Sequence, residues 1–378
     1  KPKLRWLRKN DPENYEKLAK LLLPKDYIVF KLTGTLVTEV SDAAGTILFD
    51  VKNRKWSEEV CGSLDVDRDI LPRVLDSVDA VGEITSKAAE LTGLPEDVKI
   101  IDGGADNACS AVGNGINEEG LILVSIGSSG VVLAHSDSMQ VDHGARIHSF
   151  NHSVPGKWYL MGVMLSAGLS FRWFKGEFGQ LEEEIANEIG EDVYEVLTDK
   201  ASQAPPGSEG LVFLPYLGGE RTPHKNADAR GVFFGFSGSH KRSHFIRSVL
   251  EGVTFGLKDS LELIKEMGVT PRQIRVTGGG GKSELWRQIQ ADVFRQEVVT
   301  TKVDEGPAYG AALLAGVGSG IYKDVDSAIE ECVDIETTQE PEERSADLYG
   351  DLYPLYRSLY GSLEGDYTDL AKFNDKWE

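Results

Sequence analysis

Cysteine is scarce in this chain: Cys61, Cys109 and Cys332 are the only three among 378 residues, far apart and with no C-x-x-C pair. That excludes a disulfide framework and suits free thiols in a reducing compartment, so a cytoplasmic protein is expected. Long apolar runs are also missing. The nearest, Tyr309 to Val317, is broken by Gly310 and Gly316 and is too short for a membrane span. The opening stretch KPKLRWLRKNDPENYEKL is charged and lacks a signal peptide's apolar core. Positive charge is in deficit, with a formal net charge of -21. Nucleic acid and anionic membranes demand a basic face, so neither is an expected partner. An anionic ligand would have to be held by backbone N–H groups, helix ends or a bound cation. Internal repeats and low-complexity segments are absent too.

What remains is an ordinary globular composition, 40% hydrophobic and 27% charged, long enough for two or three domains. The most informative stretch is Gln273 to Phe294, QIRVTGGGGKSELWRQIQADVF. An apolar run (Ile274, Val276) ends in the glycines Gly278 to Gly281. A segment with Leu285, Trp286, Ile289, Val293 and Phe294 at helical spacing then opens at Ser283. Strand, glycine turn and helix N-terminus form a local geometry that binds nucleotides, because the backbone can approach closely and unpaired N–H groups face the ligand. Two familiar fingerprints fail on spacing: a Walker loop needs glycine where Val276 stands, and a dinucleotide motif needs it at Ser283. A flexible strand–helix loop is the plain alternative.

Elsewhere, residues 12–23 carry Tyr15, Leu18, Leu21 and Leu22 at helical spacing before Pro24, and Tyr27 to Leu32 is apolar up to Thr33-Gly34. SDAAGT (41–46) predicts a small-residue turn, and an acidic helical region follows to Glu90. Val98 to Ile101 predicts a strand leading into Asp102-Gly103-Gly104-Ala105-Asp106-Asn107 and a small-residue helix. Leu121–Ser125 and Val131–His135 predict two strands joined by a hairpin at Gly127-Ser128-Ser129-Gly130. Trp158–Met161 predicts another strand, followed by a helix over 165–174. Leu211–Pro215 predicts a buried strand, and helices are expected over 243–267, from Pro307 to Ala315, and through much of 326–378. Strands alternating with helices, with hairpins mixed in, give an α/β protein with mixed sheets.

Several sites admit two readings. Gly127 to Gly130 is either a bare turn or a phosphate cradle of N–H groups and hydroxyls. Asp106 is either an N-cap or a general base at a strand's end, with Asn107 orienting a substrate hydroxyl. Asp304-Glu305-Gly306-Pro307 is a helix start or a second backbone approach to a ligand. His135, His143, His148 and His152 match no common metal spacing. Glu220-Arg221 reads as an ion pair or loop anchor.

Taken in order, DGGADNACSAVG (Asp102 to Gly113), VSIGSSGVV (Val124 to Val132), the segments His148 to Gly168 and Phe213 to Phe236, HFIRSVLEGVTFGLKD (His244 to Asp259), VTGGGGKSELWRQIQAD (Val276 to Asp292) and DEGPAYGAALLA (Asp304 to Ala315) resemble the FGGY family of carbohydrate kinases, and its xylulokinase branch most of all. LLPKDYIVFKLTG (Leu22 to Gly34) and the SDAAGT turn fit as well. The resemblance implies an actin-like (ribonuclease H-like) ATPase fold, two α/β domains flanking a cleft, here residues 1–118 and 119–378. It implies ATP-dependent phosphorylation of a sugar, D-xylulose to D-xylulose 5-phosphate, with Mg²⁺ as the accompanying ion. The alternatives are another kinase of the family (for glycerol, ribulose, gluconate or fuculose) or a catalytically dead actin-like nucleotide-binding scaffold.

By the same resemblance Asp106 is the catalytic base and, with Asn107, contacts the sugar. Gly127, Ser128 and Ser129 form a phosphate-binding hairpin, Ser128 standing where the family usually has threonine. Gly279, Gly280 and Ser283 contact the nucleoside, the last where several relatives have asparagine. The chain opens on Lys1, and the family's first strand hairpin, with its Asp-Gly-Thr loop and magnesium-coordinating aspartate, is not in it. An incomplete first domain is therefore expected, and no residue is assigned to metal. The expected partners are the sugar and ATP, with a homodimer left open.

Overall fold

The structure is a computed structural model that describes residues 2–377. Its centre is a sheet of seven strands, in the order Ile335–Gln339, Val298–Thr301, Gln273–Gly278, Leu121–Ile126, Gly130–Ser136, Trp158–Met164 and His148–Asn151. Gln273–Gly278 pairs in parallel with both Leu121–Ile126 and Val298–Thr301, and every other pairing is antiparallel. This is the mixed sheet the hairpin signals imply. Side-chain alternation decides the two faces. Ile122, Val124 and Ile126 join Val132, Ala134 and Leu160 in the large core, whereas Leu123 and Leu133 face a second cluster with Tyr159 and Met161.

Helices cover both faces. On the large-core side lie Gly168–Phe178, Glu284–Phe294 and the long helix Arg242–Glu266, most of whose residues are buried. The C-terminal helix Glu343–Trp377 docks here through Tyr349, Tyr353, Tyr356 and Tyr360, which recur at helical spacing. The Tyr349 hydroxyl donates to Glu251 at 2.7 Å and that of Tyr353 to Asp259 at 2.6 Å. On the opposite face the short helix Asp106–Gly113 lays Ala108 and Ala111 on the sheet. Its other side meets the helix Gly306–Ser319 so closely that a β-carbon at Gly310 would overlap the Cys109 carbonyl. One at Gly113 would overlap the carbonyl of Gly306. Among the described residues no helix is long and apolar enough to cross a membrane.

The first hundred residues depart most from the sequence reading. The periodic stretch 12–23 is helical only over Pro12–Glu16. The Leu21 N–H is taken by the Ile70 carbonyl at 2.8 Å, and Leu18 and Leu21 pack on the Trp56 cluster from an extended segment. SDAAGT is a turn only at Gly45-Thr46: its first four residues belong to the short helix Val40–Ala44, whose free N–H groups are capped by the Glu39 carboxylate. The acidic region to Glu90 is not one helical block. Beside the helices Glu58–Ser63 and Ser86–Thr92 it contains strands of small ladders (Phe49–Asp50 with Lys55–Trp56; Arg73–Leu75 with the earlier Val37–Glu39). Tyr27 to Leu32 lies inside the helix Pro24–Thr33, ended by Gly34 at φ 73°.

Candidate active site

The two glycine turns meet at one end of the central sheet. Gly278, at φ 76° and ψ -164°, holds a backbone conformation open essentially to glycine alone. It lets the chain leave its strand and wind one turn, Gly279–Lys282, against Ile126. A β-carbon on Gly280 would stand 2.5 Å from Ile126 Cδ1 and 2.7 Å from its Cβ, so the turn can sit this low only as glycine. Ser283 then caps the helix Glu284–Phe294 by accepting the Trp286 N–H at 3.3 Å, and its hydroxyl hydrogen is left to donate.

The hairpin after Ile126 is closed by the Gly127 N–H donating to the Ser129 carbonyl at 3.0 Å. Its other carbonyls hold the start of the next helix: Gly168 N–H donates to Gly127 at 2.9 Å, and Ala167 and Leu169 donate to Ser128 at 3.1 and 3.0 Å. Between hairpin and glycine turn opens a cavity of about 450 Å³ lined by Gly127, Ser128, Gly279, Gly280 and Ser283. Five residues singled out from sequence are thus brought together. Ser129 is not: it is exposed and outside the lining.

The same cavity contains residues that sequence reasoning missed. Phe171 and Trp286, edge to face at 5.7 Å, give it an apolar side wall. Gly168, Arg172, Tyr194 and Lys282 also line it, with the carboxylates Asp192 and Glu195 beside these two cations. Gly168 carried a readable signal, since a glycine opening a helix directly after a strand is the same geometry as the quartet. A nucleotide fits on these terms: glycines where side chains would block it, an aromatic wall for a base and cations at the mouth. For a metal the outcome differs. Among the described residues no group of three His, Cys, Asp or Glu side chains could hold one.

Asp106 lies outside this cavity. It is the first residue of its helix, exposed, and accepts from Asn107 through the backbone N–H at 2.7 Å and the side-chain amide at 3.0 Å. Asn107 therefore orients Asp106. Ala105 packs on the same cluster as Leu121, Val131, Phe150 and Val163, so the start of the helix lies on the sheet face opposite the large core.

Behind Asp106 is a frame that no motif announced. Lys25 Nζ bonds Asp102 Oδ1 at 3.1 Å and the Asp102 carbonyl at 3.3 Å, and reaches Asp26 Oδ1 at 3.1 Å. Fully buried Glu39 accepts from Ser77 Oγ at 2.7 Å and from Ser41 Oγ at 2.8 Å, and Ser41 Oγ in turn accepts the Ala105 N–H at 2.9 Å. Burial pushes the Asp102 carboxyl up to about 6, against the pull of Lys25, and raises Glu39 and Asp42 as well. Burial works against the Lys25 charge, but Asp102, Glu39 and Asp26 outweigh it and its pKa rises.

Other candidates resolve simply. Gly306 starts a helix with Pro307 in its first turn, and Asp304 accepts from Thr277 Oγ1 at 3.2 Å. Glu220 is a loop anchor rather than an ion pair, taking the N–H groups of Leu165 at 3.0 Å and Arg221 at 2.7 Å.

Comparison with known proteins identifies the family. The model of the FGGY carbohydrate kinases' C-terminal domain matches residues 122–319, and that of their N-terminal domain matches residues 1–113. An incomplete first domain therefore finds no support in the family match. A xylulose kinase of Bacillus subtilis (strain 168) is 39% identical over 372 residues, 98% of this chain and 72% of that protein. A gluconokinase of Bacillus licheniformis is 33% identical, over 98% of this chain and 72% of its own length. A ligand-bound xylulose kinase structure from Lactobacillus acidophilus superposes with a TM-score of 0.89 at 30% identity, covering 97% of this chain and 73% of the other.

Proposed function

The chain belongs to the FGGY family of carbohydrate kinases, with that family's two-domain actin-like fold, and we propose that it transfers the γ-phosphoryl group of ATP to a hydroxyl of D-xylulose, giving D-xylulose 5-phosphate and ADP. What supports the reading most is the convergence of the Gly127 hairpin and the Gly279 turn on one cavity, together with an exposed Asp106 at the N-terminus of its helix.

In this reading residues 1–118 carry the sugar side and 119–378 the nucleotide side. The base lies on the Phe171–Trp286 wall, with Gly279, Gly280 and Ser283 against the nucleoside. Gly127 and Ser128 cradle the phosphates, and Ser129 contributes its backbone N–H. Asp106, steered by Asn107, takes the proton of the attacking sugar hydroxyl as its oxygen bonds to phosphorus and ADP departs. Phosphoryl transfer asks chiefly for positioning and charge neutralisation, which fixed backbone donors supply without reorganisation. Mg²⁺ would accompany the nucleotide's own phosphate oxygens, and no side chain is assigned to it.

The test is ADP release by the full-length protein with D-xylulose, D-ribulose, D-gluconate, L-fuculose and glycerol. D-Xylulose should give the highest kcat/KM; a clear preference for another of these would move the substrate within the family. Asp106→Asn should lower kcat by about 10²–10⁴-fold, the usual general-base contribution, with ATP affinity by calorimetry unchanged. Undiminished turnover would remove the base from Asp106. Turnover with none of the sugars, with ATP binding intact, would make the chain a nucleotide-binding scaffold.

A further inference from the structure

From the frame behind Asp106 we infer that Lys25 is a positioning residue for phosphoryl transfer: by gripping both the carbonyl and the carboxylate of Asp102, it sets the loop Asp102–Ala105 and so the place from which Asp106 works. The inference rests on Asp106 being the base.

The loop is tied at successive residues to the segment 77–79 and to Ser41, and it packs against Ser153. The Asp102 N–H donates to the Asp79 carbonyl at 3.1 Å, and that of Gly103 to the Ser77 carbonyl at 3.0 Å. Gly104 has no room for a β-carbon, which would overlap Ser153 Oγ and stand 3.3 Å from Ser41 Oγ. Ala105 donates its N–H to Ser41 Oγ at 2.9 Å. These bonds hold the loop's N–H groups and leave the Asp102 carbonyl to Lys25. The side chains of Asp102 and Asp26 are 0% and 1% exposed, and Lys25 is the ammonium bonded to both. Two carboxylates out of water beside Glu39 repel each other, so without that ammonium Asp102 must take up a proton or turn outward, and in either case its carboxylate and carbonyl lose the group that fixes them. Asp102 is four residues before Asp106, and its displacement is passed down a loop with no slack. A shift of about 1 Å in a catalytic group is enough to cost about 10²-fold in rate.

Lys25→Met keeps the stem and removes the charge. With D-xylulose and ATP it should lower kcat by about 10- to 100-fold and leave the KM for ATP within about twofold, because neither Lys25 nor Asp102 lines the cavity between the hairpin and the glycine turn. In the Asp106→Asn background the same change should cost less than about threefold, since there is no base left to misplace. Amide exchange over 103–107 should quicken while the 127–130 hairpin stays as it was. Should Lys25→Met not fold, Ser41→Ala loosens the same loop at Ala105 by one hydroxyl. It should reproduce the exchange change with a smaller loss of kcat, about 3- to 10-fold. Unchanged exchange over 103–107 in the folded variant overturns the inference, as does an equal loss of kcat with Asp106 and with Asn at that position. An active Asp106→Asn enzyme, by contrast, would refute the base assignment itself.

Discussion

Around the nucleotide cavity the walls are closed with backbone: the Gly168 N–H on the Gly127 carbonyl, Gly280 pressed to Ile126, a serine hydroxyl capping the next helix. Around Asp106 the supports are side chains, a part-buried ammonium among buried carboxylates and two serine hydroxyls relaying between distant segments. The difference in material is a difference in tolerance. A backbone wall fails when something is added to it, whereas an ionic frame fails when something is taken away. The first responds little to pH; the second contains groups whose ionisation is already displaced by burial.

Adding one carbon to the backbone wall should have the largest effect. A β-carbon at Gly168 would overlap the Gly127 carbonyl, so Gly168→Ala must push hairpin and helix apart. The KM for ATP should rise about tenfold or more, equivalent to about 1.4 kcal/mol, while sugar KM changes little. An unchanged ATP KM would mean that the wall gives way and that the contrast is false.

Next comes a carboxylate that serves the backbone side. Glu220 holds the Leu165 N–H, three residues before Gly168, and burial pushes its carboxyl up to about 7 from 4.5. Folding therefore favours its protonated form. The stability it brings is complete below pH 4.5 and is lost as pH rises through about 7. The span is on the order of 3 kcal/mol. Glu220→Gln, neutral throughout and still an acceptor for Leu165, should flatten the decline of Tm between about pH 5 and 8. Parallel Tm curves for the two proteins would show that Glu220 does not titrate there. The smallest effect is expected from Ser129→Ala. Ser129 lies outside the cavity lining and offers the ligand only its N–H, so kcat and ATP KM should stay within about twofold. A larger loss would return its hydroxyl to the site.

This contrast also explains what the sequence could and could not reveal. Backbone demands leave glycine behind, and glycine is visible: the quartet 278–281 and the 127–130 hairpin were read in the right places on the right elements. Strands buried on both faces, such as Leu121–Ile126, announce themselves by unbroken apolar character. Asp106 was reached through its motif. The Lys25–Asp102 bond spans 77 positions and the Ser77–Glu39 bond 38, and nothing local to either partner marks it as paired. The same lack of local signal misled the reading of 12–23 and of the acidic stretch to Glu90, where Leu21 and the short ladders take their hydrogen bonds from remote segments. Gly168 was passed over because the apolar residues around it satisfied a helix pattern without it.

The glycine seam between the helices Asp106–Gly113 and Gly306–Ser319 has its own bearing on these experiments. It joins the end of the N-terminal family match to the end of the C-terminal one with main chain touching main chain. A methyl group added at Gly113 or Gly310 would act as a shim, tilting one lobe against the other and moving donor and acceptor out of line. An enzyme can be silenced there while every residue that touches ATP or sugar is intact.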